Sequence, residues 1–465
     1  MARVLPLVLF VLLGGCSLAP IHQRPDVDLA TSYRDVPDRS PHAQAAARLG
    51  WADFFADPRL RELIGQAFEH NRDLRVAVLR IEEARGLYRI QTADRLPTLS
   101  LGAEAARGRF ATGSVPGTSA GVSETYSVGV AVSAFELDFW GRVRSLSDAA
   151  RAQFFASIEA QRAFRLSLIR DVATAYLGLR EAAERIELAE ATVRSRREGL
   201  RIARVRLDAG ITSALDYNQA EALLTQAETQ LAGIRLARAQ NENLLALLTG
   251  TSVGAALPAA LPLGEQAKPS LLEVGLPSSL LEARPDILAA EERLRVARAN
   301  IGVARAAFFP RISLTGSLGY ASDKLNNLVN SGNETWRIGP SVSLPLFDHG
   351  RNRANLNVAQ TRENIAVAEY EQAIRTAFRE VSDALSGRRH LTEQVAAQAR
   401  NRATLIRVVE LARKRYREGV VGYIEVLDAE RSLFDAEQAF IQAKRAQMQS
   451  LVDLYVALGG GVLEK

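Results

Sequence analysis

Hydrophobic and polar positions follow two periods along this chain, and the switch between them happens twice. A helical period over 72–95 stops before Pro97. Strict alternation follows. Leu99, Leu101, Ala103 and Ala105 interleave with Ser100, Gly102 and Glu104; beyond a Gly/Ser/Pro loop, Tyr126, Val128, Val130 and Val132 interleave with Ser127, Gly129, Ala131 and Ser133. The helical period then returns over 142–208, and after Gly210 over 215–249. The same order recurs from Arg284: a helix over 286–309, alternation of Ile312, Leu314, Leu318 and Tyr320 and then of Trp336, Ile338, Val342 and Leu344, a long helix over 351–418, and a return helix over 424–458. Asp73 answers Asp286, Pro97 answers Pro310, Gly141 answers Gly350, Gly210 answers Gly419 and Gly250 answers Gly459. The chain is therefore an internal duplication, with one repeat over 51–250 and the other over 284–460. Hairpins are expected at about 97–139 and 310–347.

No proline lies between Pro116 and Pro258, and none follows Pro345. Both stretches are rich in Ala, Leu, Arg, Glu and Gln, so nothing interrupts helices that at 1.5 Å per residue reach about 100 Å. The return helices reach about 55 Å and the helices before the strands about 35 Å, so a short and a medium helix stacked end to end match one long helix. Each repeat then forms two helical columns below one hairpin. At the start of the first repeat, Trp51–Phe55 and Asp57–Leu60 begin a helix whose face carries Leu60, Leu63, Ile64, Ala67 and Phe68. The proline-rich segment 251–283 is expected to form a small lateral domain with that helix and the C-terminal tail, 461–465.

A formal charge of +5 changes this picture little. The arginines alternate with acids along helix faces and no stacking aromatics are interleaved with them, so no nucleic-acid partner is expected. The five histidines lack metal-ligand spacing, and no phosphate loop, nucleophile elbow or cysteine pair is present. Neither an enzyme nor a resident metal or cofactor is expected. Cys16 is the only cysteine. It follows Arg3, an apolar run over 4–13 too short to span a bilayer, and Gly14-Gly15. Residues 1–15 read as a signal peptide and 16–50 as an extended tether.

The alternating strands fit an ordinary half-buried sheet as well as membrane strands of about ten residues, and the leader favours the membrane reading. Four strands cannot close a barrel, and open edges are not tolerated in hydrocarbon. Several copies must then share one barrel.

The stretch Leu13–Cys16 resembles the lipobox of bacterial lipoproteins, which implies N-palmitoyl and S-diacylglycerol groups on Cys16 and, with Ser17 following, sorting to the outer membrane. Trp51–Leu60, Leu281–Ile287 with Ala290-Glu291 and Phe309-Pro310, Asp138–Arg142 and Gly419–Glu430 together resemble TolC-like outer-membrane factors, and are most similar to the lipoprotein branch of OprM and NodT type. The resemblance covers essentially the whole chain. It implies a mainly α fold with a membrane β part: a homotrimer whose long antiparallel helices form an α-barrel continuing a shared β-barrel of twelve strands, four per protomer. It also implies the passive exit duct of a tripartite efflux pump for drugs or other small molecules, docked to a periplasmic adaptor and an inner-membrane transporter of the RND type.

By motif, the resemblance places the periplasmic gate at Ile424, Glu425 and Asp428, and tip-closing contacts at Asp216 and Tyr416. Repeated around a threefold axis, Asp428 would form a carboxylate ring and Ile424 an apolar constriction. Read without the resemblance, Asp428 is a solvated carboxylate near a helix N-terminus and Ile424 a core contact. The chain departs from the pattern at Val421, where some relatives carry a basic residue; Arg413 and Arg417 are the candidate substitutes. The competing function is a lipid-anchored coiled-coil scaffold or adaptor without a pore, which would carry sustained heptads and no membrane hairpins.

Overall fold

The computed structural model describes residues 17–28, 33, 44–110, 121–251, 257–273 and 284–461. The signal sequence, Cys16, most of the tether, the two ends of the inter-repeat segment and the last four residues lie outside the described residues. In chain order the main elements are α1 (Pro58–His70), α2 (Arg72–Ala93), β1 (Leu99–Phe110), β2 (Gly121–Glu136), α3 (Arg142–Asp208), α4 (Ala214–Thr249), α5 (Pro285–Ala306), β3 (Arg311–Ser322), β4 (Glu334–Ser343), α6 (Arg351–Arg417) and α7 (Tyr423–Ala457).

The two longest helices, α3 and α6, each run for 67 residues without a break, about 100 Å. Their length is sustained by side-chain packing rather than by propensity alone. Ala182, Ile186, Ala189 and Val193 of α3, spaced by four, three and four residues, interlock with Ala227, Leu231 and Ile234 of α4 in one buried cluster. That spacing is a coiled-coil seam, with Ala at alternate positions allowing close approach.

Contacts divide the chain across the repeats rather than between them. One compact unit gathers the described residues within Met1–Asp26, Arg80–Ile158 and Ala289–Glu371; the other gathers the described residues within Val27–Leu79, Glu159–Leu288 and Gln372–Lys465.

The first unit contains the four-stranded sheet, antiparallel throughout, in the order β1-β2-β3-β4. Register places Leu101 opposite Val130, Val130 opposite Leu318 and Leu318 opposite Trp336, so one apolar row crosses all four strands on a single face. The face is open: Leu101, Leu318, Trp336 and Ile338 are all more than three-fifths exposed. Small and polar residues, Ser100, Ala131 and Ser317 among them, occupy the other face. Gly129 and Gly319 let β2 and β3 meet there, since a Cβ on Gly319 would lie 2.3 Å from the Val128 carbonyl oxygen.

Simple alternation does not anticipate one feature of β2. Register shifts between Val132 and Phe135, where Ala134 adopts a φ of 50° and its N–H donates to Thr315 Oγ1 at 3.3 Å. The extra residue is a β-bulge, and it reverses the parity of β2 so that Phe135 lies opposite Leu314 on the apolar face.

The second unit is built around an aromatic core. Phe54, Phe55 and Tyr455 are fully buried, and Phe54 stacks on Tyr455 with centroids 4.3 Å apart. The expected helix from Trp51 into α1 is broken here. Only Trp51–Phe54 forms a turn of helix. Phe55 pairs with Ala267, Ala56 N–H donates to Gln266 O, and Lys268 N–H donates to Phe54 O, so the segment between the repeats draws these residues into extended backbone. Pro58 reinforces the break, because the residue before a proline is pushed out of the helical region and Asp57 has ψ of 117°.

Both repeats secure the C-terminal end of the return helix at an equivalent position with different chemistry. Asn71 Nδ2 donates to Leu248 O at 2.8 Å in the first repeat, while in the second Arg284 Nη1 donates to Ala457 O at 3.0 Å. Gly250 and Gly459 follow these carbonyls in left-handed conformation. Arg284 is itself held by Asp286 and Glu380, so its burial is compensated.

Candidate functional site

The two tip turns are equivalent in backbone design. Gly210 and Gly419 adopt φ of 70° and 75° just past α3 and α6. Ile211 N–H donates to Arg206 O at 2.8 Å and Val420 N–H to Arg415 O at 3.0 Å, the six-to-one closure that satisfies carbonyls left free at a helix end. The turns then diverge. Ser213 and Asp216 form a reciprocal capping box at the start of α4, whereas α7 starts at Gly422 with no side-chain cap.

Asp216 is absorbed by its own turn. It accepts from Ser213 Oγ and from Thr212 Oγ1, each at 2.9 Å, and these hydroxyl donors hold its carboxyl below the usual aspartate range. Tyr416 is engaged elsewhere. Arg206, near the end of α3, donates to the Tyr416 hydroxyl and lies over its ring with the guanidinium carbon 5.4 Å from the centroid. Within the chain, Arg206 is thus the cation that meets Tyr416. Arg413, one of the expected substitutes, is committed to Glu430 at 2.7 Å.

Tyr423 extends this junction. Its ring lies 5.1 Å from that of Tyr416, and it packs against both the Val409–Val426 cluster and the Ala203–Leu427 cluster. Gly199 makes room for it, since a Cβ there would come within 2.9 Å of the Tyr423 hydroxyl. The Arg206–Tyr416–Tyr423 chain therefore fastens the α3/α4 tip to the α6/α7 tip. Nothing in the motif pointed to Arg206; the available signal was its place one turn before Gly210, as Arg415 stands before Gly419.

The three expected gate residues do not act alike. Ile424 and Asp428 line one hollow of about 270 Å³ between α4 and α7, together with Gln219, Gln226, Leu427 and Arg431. Asp428 accepts from Arg431 at 2.5 Å. Glu425 turns away from that hollow, towards Arg415 of α6, also at 2.5 Å. Each of the two carboxylates is thus paired with a guanidinium within its own chain, a partner the motif did not identify. Ile424 is about half exposed, and Leu215, its counterpart in the first repeat, more so.

Comparison with known proteins agrees with this architecture. The family model for outer membrane efflux proteins matches residues 63–251 and 276–460. Outer membrane protein OprJ of Pseudomonas aeruginosa is 43% identical over 458 residues, covering 98% of this chain and 95% of that protein. The solvent efflux pump outer membrane protein SrpC of Pseudomonas putida is 42% identical over 465 residues, with 99% and 98% covered. Among solved structures, the open state of the MtrE outer membrane channel of Neisseria gonorrhoeae superimposes with a TM-score of 0.88 at 40% identity, covering 96% of this chain and 99% of that one.

Proposed function

The chain belongs to the outer membrane efflux protein family, and on that premise we propose that it works as a homotrimeric, passive exit duct whose flow is controlled at the tip turns. It is an outer-membrane channel component of an efflux pump. The observation that carries the trimeric reading is the sheet. Among the described residues its edge strands β1 and β4 each have one unpaired side, and its apolar face is open. A sheet with free edges is not stable in hydrocarbon, whereas three copies closing edge to edge supply twelve strands with a lumen inside. Among the described residues no helix is long and apolar enough to cross a membrane.

In this reading the duct receives its cargo from an inner-membrane transporter of the RND type through a periplasmic adaptor, and the transporter supplies the energy. The protein's own residues carry out no chemistry. The cargo consists of drugs or other small molecules, and the solvent efflux named for SrpC fits that class. Cys16 is the attachment point for diacylglycerol and palmitoyl groups, which add a second hold on the outer membrane.

Exchanging residues 1–16 for a cleavable non-lipoprotein signal separates the two holds. The resulting chain should no longer incorporate palmitate but should still fractionate with the outer membrane and require detergent for extraction. Release as a soluble helical protein would sink the membrane reading of the sheet and favour the lipid-tethered scaffold.

A further inference from the structure

The segment that follows Cys16 is fastened to α5 more specifically than a tether requires. Arg305 Nη1 donates to Leu18 O at 2.9 Å, and Arg298 Nη1 donates to Gln23 O at 2.6 Å. Between them the backbone of Ala19 rests on Gly302, where a Cβ would lie 2.9 Å from Ala19 N. Glu291, with a side chain only 3% exposed, accepts from Arg24 Nε at 3.0 Å and from Arg295 Nη2 at 2.7 Å. His22 sits in the middle. Its Nε2 is 3.0 Å from Glu291 Oε1, and its Nδ1 is 3.1 Å from Arg298 Nη1.

The partners dictate the state of that imidazole. A carboxylate only accepts and a guanidinium only donates. Nε2 must therefore carry the proton given to Glu291, and Nδ1 must offer a lone pair to Arg298. A doubly protonated ring would set one N–H against another and add a cation beside Arg24, Arg295 and Arg298. On the α6 side, Glu363 is already paired with Arg298 at 2.8 Å, and Tyr370 is buried and neutral. Burial is the main influence lowering the His22 pKa below its ordinary value; the bond to Glu291 opposes it, and the charges of Arg295 and Arg298 lower it further.

We propose that residues 17–26 form a proton-released strap, docked on α5 while His22 is neutral and freed in mild acid. The sign follows from linkage. The docked strap binds fewer protons than the free one, so docking is fully favoured above the free histidine value of about 6.5 and weakens as pH falls through it. Burial pushes the Glu291 carboxyl up, but while the strap is docked the bonds from Arg24 and His22 outweigh it and hold Glu291 below the usual glutamate range.

Hydrogen–deuterium exchange of the full-length protein in detergent, corrected for intrinsic rates, reads the strap directly. Amide protection over 18–26 should fall up to about tenfold from pH 7.5 to pH 5.5, the ratio that a free value of 6.5 allows. His22→Gln offers an amide acceptor to Arg298 and an amide donor to Glu291 without titrating, and its protection should not differ between the two pH values. His22→Ala should be poorly protected at both. Equal wild-type protection at both pH values overturns the proposal, and so does a pH dependence that survives in His22→Gln.

Discussion

Arg431→Ala is expected to make the pore more cation-selective, and Asp428→Ala is expected to move it the other way. Each Asp428 is paired at 2.5 Å with the Arg431 of its own helix, and both side chains are about half exposed or more. Such a pair acts on a passing ion as a small dipole, and at physiological ionic strength its field fades within a Debye length of about 8 Å. In the proposed trimeric duct with its control point at the tip turns, removing Arg431 would leave three bare carboxylates around the axis, and removing Asp428 three bare guanidiniums. Reversal potentials under a salt gradient should therefore shift in opposite directions for the two variants, and more strongly in dilute salt. Shifts of the same sign, or none, would take this pair out of the conduction path. Glu425→Ala should shift selectivity less than Asp428→Ala, because Glu425 points to Arg415 rather than into the Ile424 hollow.

Asp57→Ala should be the most damaging single change among the described polar groups of the second unit. Asp57 is fully buried and accepts from Arg59 N–H at 2.8 Å, Tyr176 Oη at 2.7 Å and Leu261 N–H at 3.0 Å. One carboxylate thus caps α1, holds α3 and anchors the segment between the repeats. Burial, and next the bond to Asp57, raise the Tyr176 pKa, which keeps the hydroxyl a donor at any physiological pH. Alanine would strand three buried donors at once, a loss of about 3–5 kcal/mol for a broken buried network of this kind. The unfolding midpoint in detergent, followed by near-ultraviolet circular dichroism, should drop clearly for Asp57→Ala. It should drop less for Asp57→Asn, which keeps one acceptor oxygen; equal drops would remove the hydrogen-bond explanation.

Much of this fold is legible in the residues because its elements are long and their punctuation is repeated. The glycine pairs mark the helix ends, and the described helices begin and end within about three residues of the periodic stretches. The strands are legible through alternation, but the bulge at Val132–Phe135 is not. A two-residue period carries no mark of an inserted residue, and Ala134, unlike glycine, gives no warning of a positive φ. At the tip, motif resemblance singled out Ile424 and Asp428, and the fold places both on one hollow. It could not identify their counter-charges, since Arg431 and Arg415 are ordinary helix-surface residues in one dimension. Arg206 was missed for a related reason: its partner Tyr416 stands 210 positions away, and only the packing of two coils joins them. The strap had a readable signature. Glu291, Arg295, Arg298, Gly302 and Arg305 recur at helical spacing on one face of α5, a polar stripe broken by a glycine.

Single-channel recording of purified protein in planar bilayers, comparing wild type with Arg206→Ala, asks whether the conduit is restrained at its tip. Discrete wild-type openings should be small and should grow several-fold in the variant, because Arg206 is the cation that fastens one helical pair to the other through Tyr416. Folded protein that gives no discrete openings in either form would contradict the account.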